Sequence, residues 1–490
     1  MNLSTTKTSF PKSPTSQSQY ICYSPFPVTP RVSRRHVTLA ALPTLLFAYV
    51  LFIRTRHVSQ SFWLLGDQIL YWRWALGSWR DLPAGGGPTS VGGTTLGPIF
   101  VWTVWAIRHL VGPWTQNLPH SGSIGLSIIQ SAADAVLFVA IWRRFDSMAL
   151  GLATVLVVAS APYDMAFNAT IWNPPLAVAF VKISLAIILL ADRRESIWWA
   201  ASATAAALLA AQSHSSAIFF AVPVAASFLG REMLARRWVH LWRQAAALTA
   251  VVALLEIPYL ANLLTTTVAS TRPTMVVRSV ADTLAEPQRL RPVASFAALV
   301  NGTQFILVRP WAFSGFGLVL VACAAMLAWR ARRDLTLLGA TVAPMLCAVI
   351  GFSFWQNAYD HYWFLTIAPS AALTMTIVAT SWRKTATPVA WLLVALAIVA
   401  QPWRLADALT FHRLPEYGAL VEGSREIRSR TSEVRAIETE FALPPSTDRT
   451  FLFEVLGGRV TPQGRVIATI QRSGQAIFRP VQPDATARTE

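Results

Sequence analysis

The chain reads as an all-α polytopic membrane protein that ends in a small α/β extracytoplasmic domain, and three observations predict this. Of its 490 residues 54% are apolar and only 13% charged, about half the charged share of an ordinary soluble domain. The apolar residues come in long runs, several near the ~20 residues that one bilayer crossing needs. Short Lys and Arg clusters separate those runs. A net charge of +17 raises the question of nucleic acid. The arginines, however, recur at the ends of apolar runs rather than in one patch, which is the pattern of cytoplasmic loop anchors. The membrane is therefore the expected partner and nucleic acid is not. Cys22, Cys323 and Cys347 are odd in number and lie in a tail or in apolar runs, so they build neither a disulfide framework nor a metal cluster.

Residues 1–36 are rich in Ser, Thr and Pro and lack Asp and Glu, which predicts a disordered cytoplasmic tail. The apolar run 37–53 starts too late, and lacks the small-residue cleavage site, for a removed signal peptide. It predicts the first membrane helix, started inside by Arg31, Arg34 and Arg35, with Arg54 and Arg56 at its far end running against that orientation. Further inside markers are Arg143 with Arg144, Arg193 with Arg194, the basic run 231–243, the run 330–333, and Arg383 with Lys384. Two apolar runs lie between successive clusters, as a hairpin out and back requires. The outer turns placed this way are 168–175, 212–216, 256–292 and 355–363. One region breaks the alternation. Asp67 belongs outside and Arg143 inside, yet two apolar runs, 96–111 and 124–142, lie between them; either one is re-entrant or the second is a pair of shorter helices. The total is about 11–13 transmembrane helices, in a membrane domain at 37–403 whose first outer loop is 56–95.

From residue 404 to 490 the chain is charged and alternating, a soluble extracytoplasmic domain by the same count. Leu420, Ile427, Val434 and Phe441 recur every seven residues, with Val421 and Ile437 filling in the stripe. That spacing predicts one helix face, ended by Pro444 and Pro445. The runs 450–455, 465–470 and 475–478, separated by Gly457, Gly458 and Gly474, predict strands. A domain of this size can fold alone, and it is expected to rest on the membrane domain.

Chemistry is sought first in the stretch 64–100, which is too polar and glycine-rich to cross a membrane. It holds Asp67, and a carboxylate kept at a membrane surface is costly without a role. Among the outer turns, Asn168-Ala-Thr-Ile-Trp-Asn-Pro-Pro175 reads either as a helix start capped by Asn173 or as a polar lining. Gln212-Ser-His-Ser-Ser216 holds His214, either a structural hydrogen-bonded ring or a phosphate contact. The third turn carries Arg272, Arg278, Arg289, Arg291 and Arg309, which suit solvent or an anionic ligand such as a lipid phosphate. In the fourth, Trp355, Tyr359, Tyr362 and Trp363 fit an interfacial belt, while the Asp360-His361 pair among them does not follow from that belt.

In their order these stretches resemble the polytopic glycosyltransferases of the GT-C fold, the group containing protein O-mannosyltransferases and the aminoarabinose transferase of lipid A. The residues that carry the likeness are Gly66-Asp67-Gln68 with Tyr71, then Gly87-Pro88 with Gly92-Gly93 and Leu96-Gly97-Pro98. Ile171-Trp-Asn-Pro174, Gln212-Ser-His214 and His361-Tyr-Trp-Phe-Leu-Thr-Ile-Ala-Pro369 follow, so that the likeness covers roughly residues 40–400. Gln68 stands where many relatives carry a second acid, Asn173 where they carry an acid in the later turn, and Thr95 with Leu96 where a histidine often precedes the proline pair.

The resemblance implies transfer of a sugar from a polyprenyl-phosphate donor to a glycan, lipid or protein acceptor at the extracytoplasmic face, with inversion. It implies Asp67 as the catalytic carboxylate, with Gln68, Tyr71, Asn173, His214, Asp360 and His361 around the donor phosphate and substrate. His214, His361 and outer arginines would offset the phosphate charge. No nucleotide cofactor is expected, because the glycine run 85–93 neither follows a strand nor contains the lysine of a phosphate loop. A divalent cation stays open, with no ligand identified. The alternative class is a lipid or solute transporter. Such proteins carry inverted repeats and ionisable residues inside membrane helices, whereas here the polar features collect at one face.

Overall fold

The computed structural model describes residues 34–83, 85–87, 96–191, 196–269, 282, 284–286, 290–302, 314–354, 360–380, 386–408, 414–444 and 446–481. Two compact units comprise residues 1–42 and 43–490, and apart from the start of the first helix everything below concerns the second. Helix α1 (Arg34–Thr55) leads to the short α2 (Val58–Ser61), to α3 (Gly66–Leu76) and, past a 3-10 turn at Trp79–Asp81, to α4 (Ile99–Leu110).

Helix α4 bears on the broken alternation. Its 12 residues rise about 18 Å, well short of a hydrocarbon core of ~30 Å. Its flanks are tied to other segments of the chain: Gly97 donates its backbone N–H to Gln212, and Leu118 is buried in the same core as Leu420 and Ile427 of the C-terminal segment. Helix α5 (His120–Phe145), at 26 residues, is by contrast long and apolar enough to cross a membrane, and Arg143 and Arg144 stand in its last turn. Gln116 and Asn117 make the turn between α4 and α5 with φ of 56° and 57°, a region that asparagine tolerates better than most residues.

The bundle continues with α6 (Met148–Ala159), α7 (Pro162–Phe167), α8 (Asn173–Leu190), α9 (Ile197–Ser213), α10 (Ile218–Leu234) and α11 (Trp238–Ala269). It goes on through α12 (Pro292–Gly302), α13 (Ser314–Arg330), α14 (Leu335–Ala340), α15 (Val342–Ser353), α16 (Asp360–Thr380), α17 (Ala386–Val399) and α18 (Gln401–Ala408). Among the described residues four helices are long and apolar enough to cross a membrane, His120–Phe145, Asn173–Leu190, Ser215–Leu234 and Trp238–Ile257, and shorter apolar helices accompany them. Helix α8 packs against both α5 and α9. The approach to α9 is close because its facing positions, Ala200, Ala203, Ala207 and Ala210, are small and buried. Trp198, Trp238, Trp242 and Trp329 point outward beside the basic clusters, as interfacial anchors do.

Two elements of the C-terminal segment differ from the sequence expectation. The seven-residue stripe is not one helix: α19 (Tyr417–Arg430) stops at Thr431, whose backbone is extended, and Val434 and Ile437 lie in strands. The stripe still marks burial correctly, since Leu420, Val421, Ile427, Val434, Ile437 and Phe441 share one core. What the spacing could not register is the density of β-branched residues from Thr431 to Thr439, which favours a pleated backbone. Conversely 450–455 is not a strand but a helical turn, α20 (Phe451–Val455). The Asp448 carboxylate accepts from both the backbone and the hydroxyl of Thr450 at its start, and Gly457 at φ 86° ends it. Strands β1 (Glu433–Val434) and β3 (Arg459–Val460) pair in parallel. In the second sheet β2 (Ala436–Thr439) runs parallel to β4 (Val466–Ile470), which runs antiparallel to β5 (Ala476–Pro480).

The core of this small α/β layer is continuous with that of the first outer loop. Phe62, Trp72 and Phe100 are buried together with Tyr417, Ile427 and Phe451. The Tyr417 ring lies 5.1 Å from that of Phe62, and its hydroxyl is 3.0 Å from His120 Nδ1. The C-terminal layer is thus built onto α2, α3 and the start of α5.

Candidate active site

The site begins where α3 begins. Leu65 is extended, and the side-chain carbonyl of Gln68 reaches back to accept its N–H at 3.1 Å, the half of a capping box that a leucine N-cap allows, with Gln68 buried. Gln68 thereby fixes the helix start. Asp67 sits in that first turn with its side chain exposed, where the helix N-terminus favours a carboxylate. One turn on, Tyr71 is buried and set edge-on to Phe100 at 4.9 Å. Burial, and then the Asp67 carboxylate beside it, push the Tyr71 phenol above its usual range, so it stays a hydroxyl.

Tyr71 connects α3 to a neck of glycines. A Cβ on Gly87 would fall 2.4 Å from the Tyr71 ring and hydroxyl, so the ring packs where only glycine fits. Gly86 donates to the Leu96 carbonyl at 2.6 Å, and Leu96 donates back to Gly87 at 3.0 Å. On the far side Gly97 donates to the Gln212 carbonyl at 3.0 Å, and a Cβ there would come 2.6 Å from that of Gln212.

The neck leads into the outer turn that follows α9. Asn173 is no N-cap: Trp172 holds that position without a side-chain bond, and the Asn173 amide crosses to the Ser213 carbonyl at 2.7 Å. The two proline-rich and histidine-bearing turns are joined through it. His214 is buried and its Nδ1 accepts the Ser216 N–H at 3.3 Å, which places the ring proton on Nε2. Burial holds its pKa down to about 3, so the ring is neutral. The expectation of His214 as a cation is corrected accordingly, and what it offers is a hydrogen bond. Asp360 and His361 open α16, which packs against the turn Ser215–Ala217. Their side chains, like residues 355–359, lie outside the described residues, as do Arg272, Arg278, Arg289 and Arg309.

A depressed histidine pKa makes a stability statement. Between pH 6.5 and 3 the unfolded chain binds a proton at His214 that the folded chain refuses, so stability falls as pH drops through that window. Thermal melts in detergent are expected to show this acid loss, and His214→Gln, which stays neutral throughout, is expected to flatten it.

The C-terminal layer roofs the Asp67 end. Thr447 Oγ1 donates to the Leu64 carbonyl at 2.8 Å, and Ser446 Cβ lies 3.7 Å from where a Gly66 Cβ would sit. Arg73 meets Asp448 at 3.0 Å and Glu454 at 3.3 Å, half-exposed pairs that orient more than they stabilise.

Sequence reasoning missed two features. Gln212 holds Glu256, where the apolar stretch Trp238–Ile257 of α11 closes, by its side-chain amide; the signal was an acid closing an apolar run, as Asp67 nearly does. The second lies deeper, where the expectation that polar features collect at one face is corrected. Arg54, Asp134, Asp164 and Lys182 meet with side chains wholly buried. Arg54, which ran against the topology, is one member of this network. Among the described residues no three His, Cys, Asp or Glu side chains converge as a metal site.

No family model matches the chain, and no curated protein matches it. Solved structures do. The apo structure of ArnT from Cupriavidus metallidurans aligns with a TM-score of 0.52 at 12% identity, over 89% of this chain and 93% of that one. ArnT bound to undecaprenyl phosphate aligns at 0.42 with 14% identity, over 86% and 84%. The arabinofuranosyltransferase AftD from Mycobacteria aligns at 0.38 with 14% identity, over 86% of this chain and 31% of that one. The first alignment identifies the architecture: a helical GT-C membrane fold, shared with ArnT over nearly the whole chain.

Proposed function

We propose that the chain is an integral membrane glycosyltransferase that moves a sugar from a polyprenyl-phosphate donor to an acceptor hydroxyl at the extracytoplasmic face. The observation that carries this reading is the continuous path from Asp67 through Tyr71, the glycine neck and Gln212 to Asn173 and His214, at one end of a bundle of this fold. ArnT, whose fold it shares, is known bound to undecaprenyl phosphate.

In this reading the lipid lies in the bilayer and its phosphate rests at the outer interface. Asp67 accepts the proton of the acceptor hydroxyl as that oxygen attacks the anomeric carbon. The bond from that carbon to the phosphate oxygen breaks, the polyprenyl phosphate leaves with the electron pair, and attack opposite the leaving group inverts the centre. His214, neutral with its proton on Nε2, and Asn173 serve the donor by hydrogen bonding. Charge offset falls to the third-turn arginines and His361.

The buried charges give the transporter reading its one supporting observation, since transporters keep ionisable groups in membrane helices. Two cations and two anions here neutralise one another, which suits a tie between helices better than an ion site. Reconstitution in proteoliposomes with a polyprenyl-phosphate sugar decides between them. Cleavage of the sugar–phosphate bond is expected, and movement of the intact lipid without cleavage would refute the proposal.

A further inference from the structure

Glu256 stands inside α11, in the last turn of its apolar stretch Trp238–Ile257, half-buried. One of its oxygens is 3.4 Å from Gln212 Nε2, which donates more closely, at 2.7 Å, to the Leu255 carbonyl. Among the described residues no Lys or Arg lies within ion-pair distance of it. A carboxylate has about four acceptor sites, so among the described residues one long bond from Gln212 leaves most of that capacity open, at a half-buried position.

Its position relative to Asp67 is specific. Gln212 lies flat against Gly97 on one side of the glycine neck, and Tyr71 lies flat against Gly87 on the other, one helical turn from Asp67. Each of the two side chains packed on the neck thus has a carboxylate as neighbour, Asp67 beside Tyr71 and Glu256 beside Gln212. They differ in surroundings. Asp67 is next to the roof formed by Ser446 and Thr447, where an acceptor arriving from outside must pass. Glu256 closes the apolar, membrane-length stretch Trp238–Ile257 of α11, beside the bilayer that would carry a lipid-borne group. A carboxylate repels a phosphate, so its place is against the sugar and not the pyranose- or furanose-bearing phosphate.

Resting on the function proposed above, we infer that Glu256 is a specificity-determining residue that accepts hydrogen bonds from hydroxyl groups of the donor sugar. A carboxylate can take two neighbouring hydroxyls at once and so distinguish a sugar from its epimer. Glu256→Gln tests this well, because the amide oxygen can still accept from Gln212 and the shape is kept.

The experiment uses the full chain in proteoliposomes with sugar-free undecaprenyl phosphate and with undecaprenyl-phosphoryl arabinose, mannose and glucose. In Glu256→Gln, turnover of the preferred donor is expected to fall about 10- to 100-fold, the loss of one or two charge-assisted hydrogen bonds, and the preference among the three sugars to shrink. Sugar-free undecaprenyl phosphate is expected to bind as before. Unchanged sugar preference with lipid binding intact would overturn the assignment of Glu256 alone. Loss of lipid binding in the variant would do so too, by making Glu256 a support for the neck. Failure of the unsubstituted protein to bind undecaprenyl phosphate would overturn the proposed function and this inference together.

Discussion

Asp67→Asn is expected to reduce sugar transfer by ~10³-fold, within the range that a positioned general base contributes, while sugar-free polyprenyl phosphate binds as in the unsubstituted protein. The substitution separates chemistry from structure unusually well at this position. The Asp67 side chain is exposed, and the capping of α3 is carried by Gln68 on the Leu65 N–H and not by Asp67. What stability it adds is its charge at the helix start, worth at most ~1 kcal/mol, so a large loss of turnover cannot come from unfolding. Asparagine keeps the size and a hydrogen-bonding oxygen but cannot take up a proton. The same change removes one of the two influences that raise the Tyr71 phenol, leaving burial; a downward shift of the Tyr71 titration in Asp67→Asn would report that the pair is as close in solution as in the fold. Full transfer activity in Asp67→Asn at normal expression would exclude Asp67 as the base.

How far the sequence could see depended on the kind of contact. The grouping of Asp67, Asn173 and His214 at one end was legible because Lys and Arg clusters recur at the opposite ends of the apolar runs, and which end a residue takes is a one-dimensional property. The junctions between these residues were not. Tyr71 against Gly87 and Gln212 against Gly97 are contacts to bare backbone, and nothing in a glycine names what will press on it. The stripe from Leu420 to Phe441 shows a related limit. Its period of seven selected buried positions correctly, but a chain that passes from helix to strand can keep every such position buried while changing the element. The run 96–111 looked like a crossing by composition, but Pro98 at its start and the 3-10 turn Gly112–Thr115 after it hold the helix to 12 residues. Arg54, Asp134, Asp164 and Lys182 were illegible as a set, since each comes from a different helix and each alone reads as an anomaly in an apolar run.

That network supports the second large effect. Asp164→Asn is expected to destabilise the protein by about 3–5 kcal/mol, because removing one member of a buried ion pair strands its partner's charge. Arg54 donates through Nε to Asp164 at 2.9 Å, touches Asp134 at 2.6 Å and donates to Ser131 at 3.0 Å, while Lys182 lies 2.8 Å from Asp134 and donates to Gln130 at 3.0 Å. The arrangement is two cations on two carboxylates, neutral in sum, and neutrality is the property to test. Replacing Lys182 by Met together with Asp134 by Leu deletes one charge of each sign and leaves the Arg54–Asp164 pair whole. The double variant is therefore expected to melt well above either single one, a coupling of ~2 kcal/mol or more being ordinary for groups in one network. Additive losses would mean that the four charges act separately. The network also has a direct route to the site. The Asp164 carbonyl accepts from Asn168, the adjoining Ala169 carbonyl accepts the Trp63 N–H at 3.1 Å, and the same outer turn sends Asn173 to Ser213. A tilt of α7 would reach both walls of the site, α3 on one side and His214 on the other. Transfer activity in Asp164→Asn should consequently fall at temperatures where the fold is still intact, whereas the neutral double variant, with Asp164 still held by Arg54, should keep it.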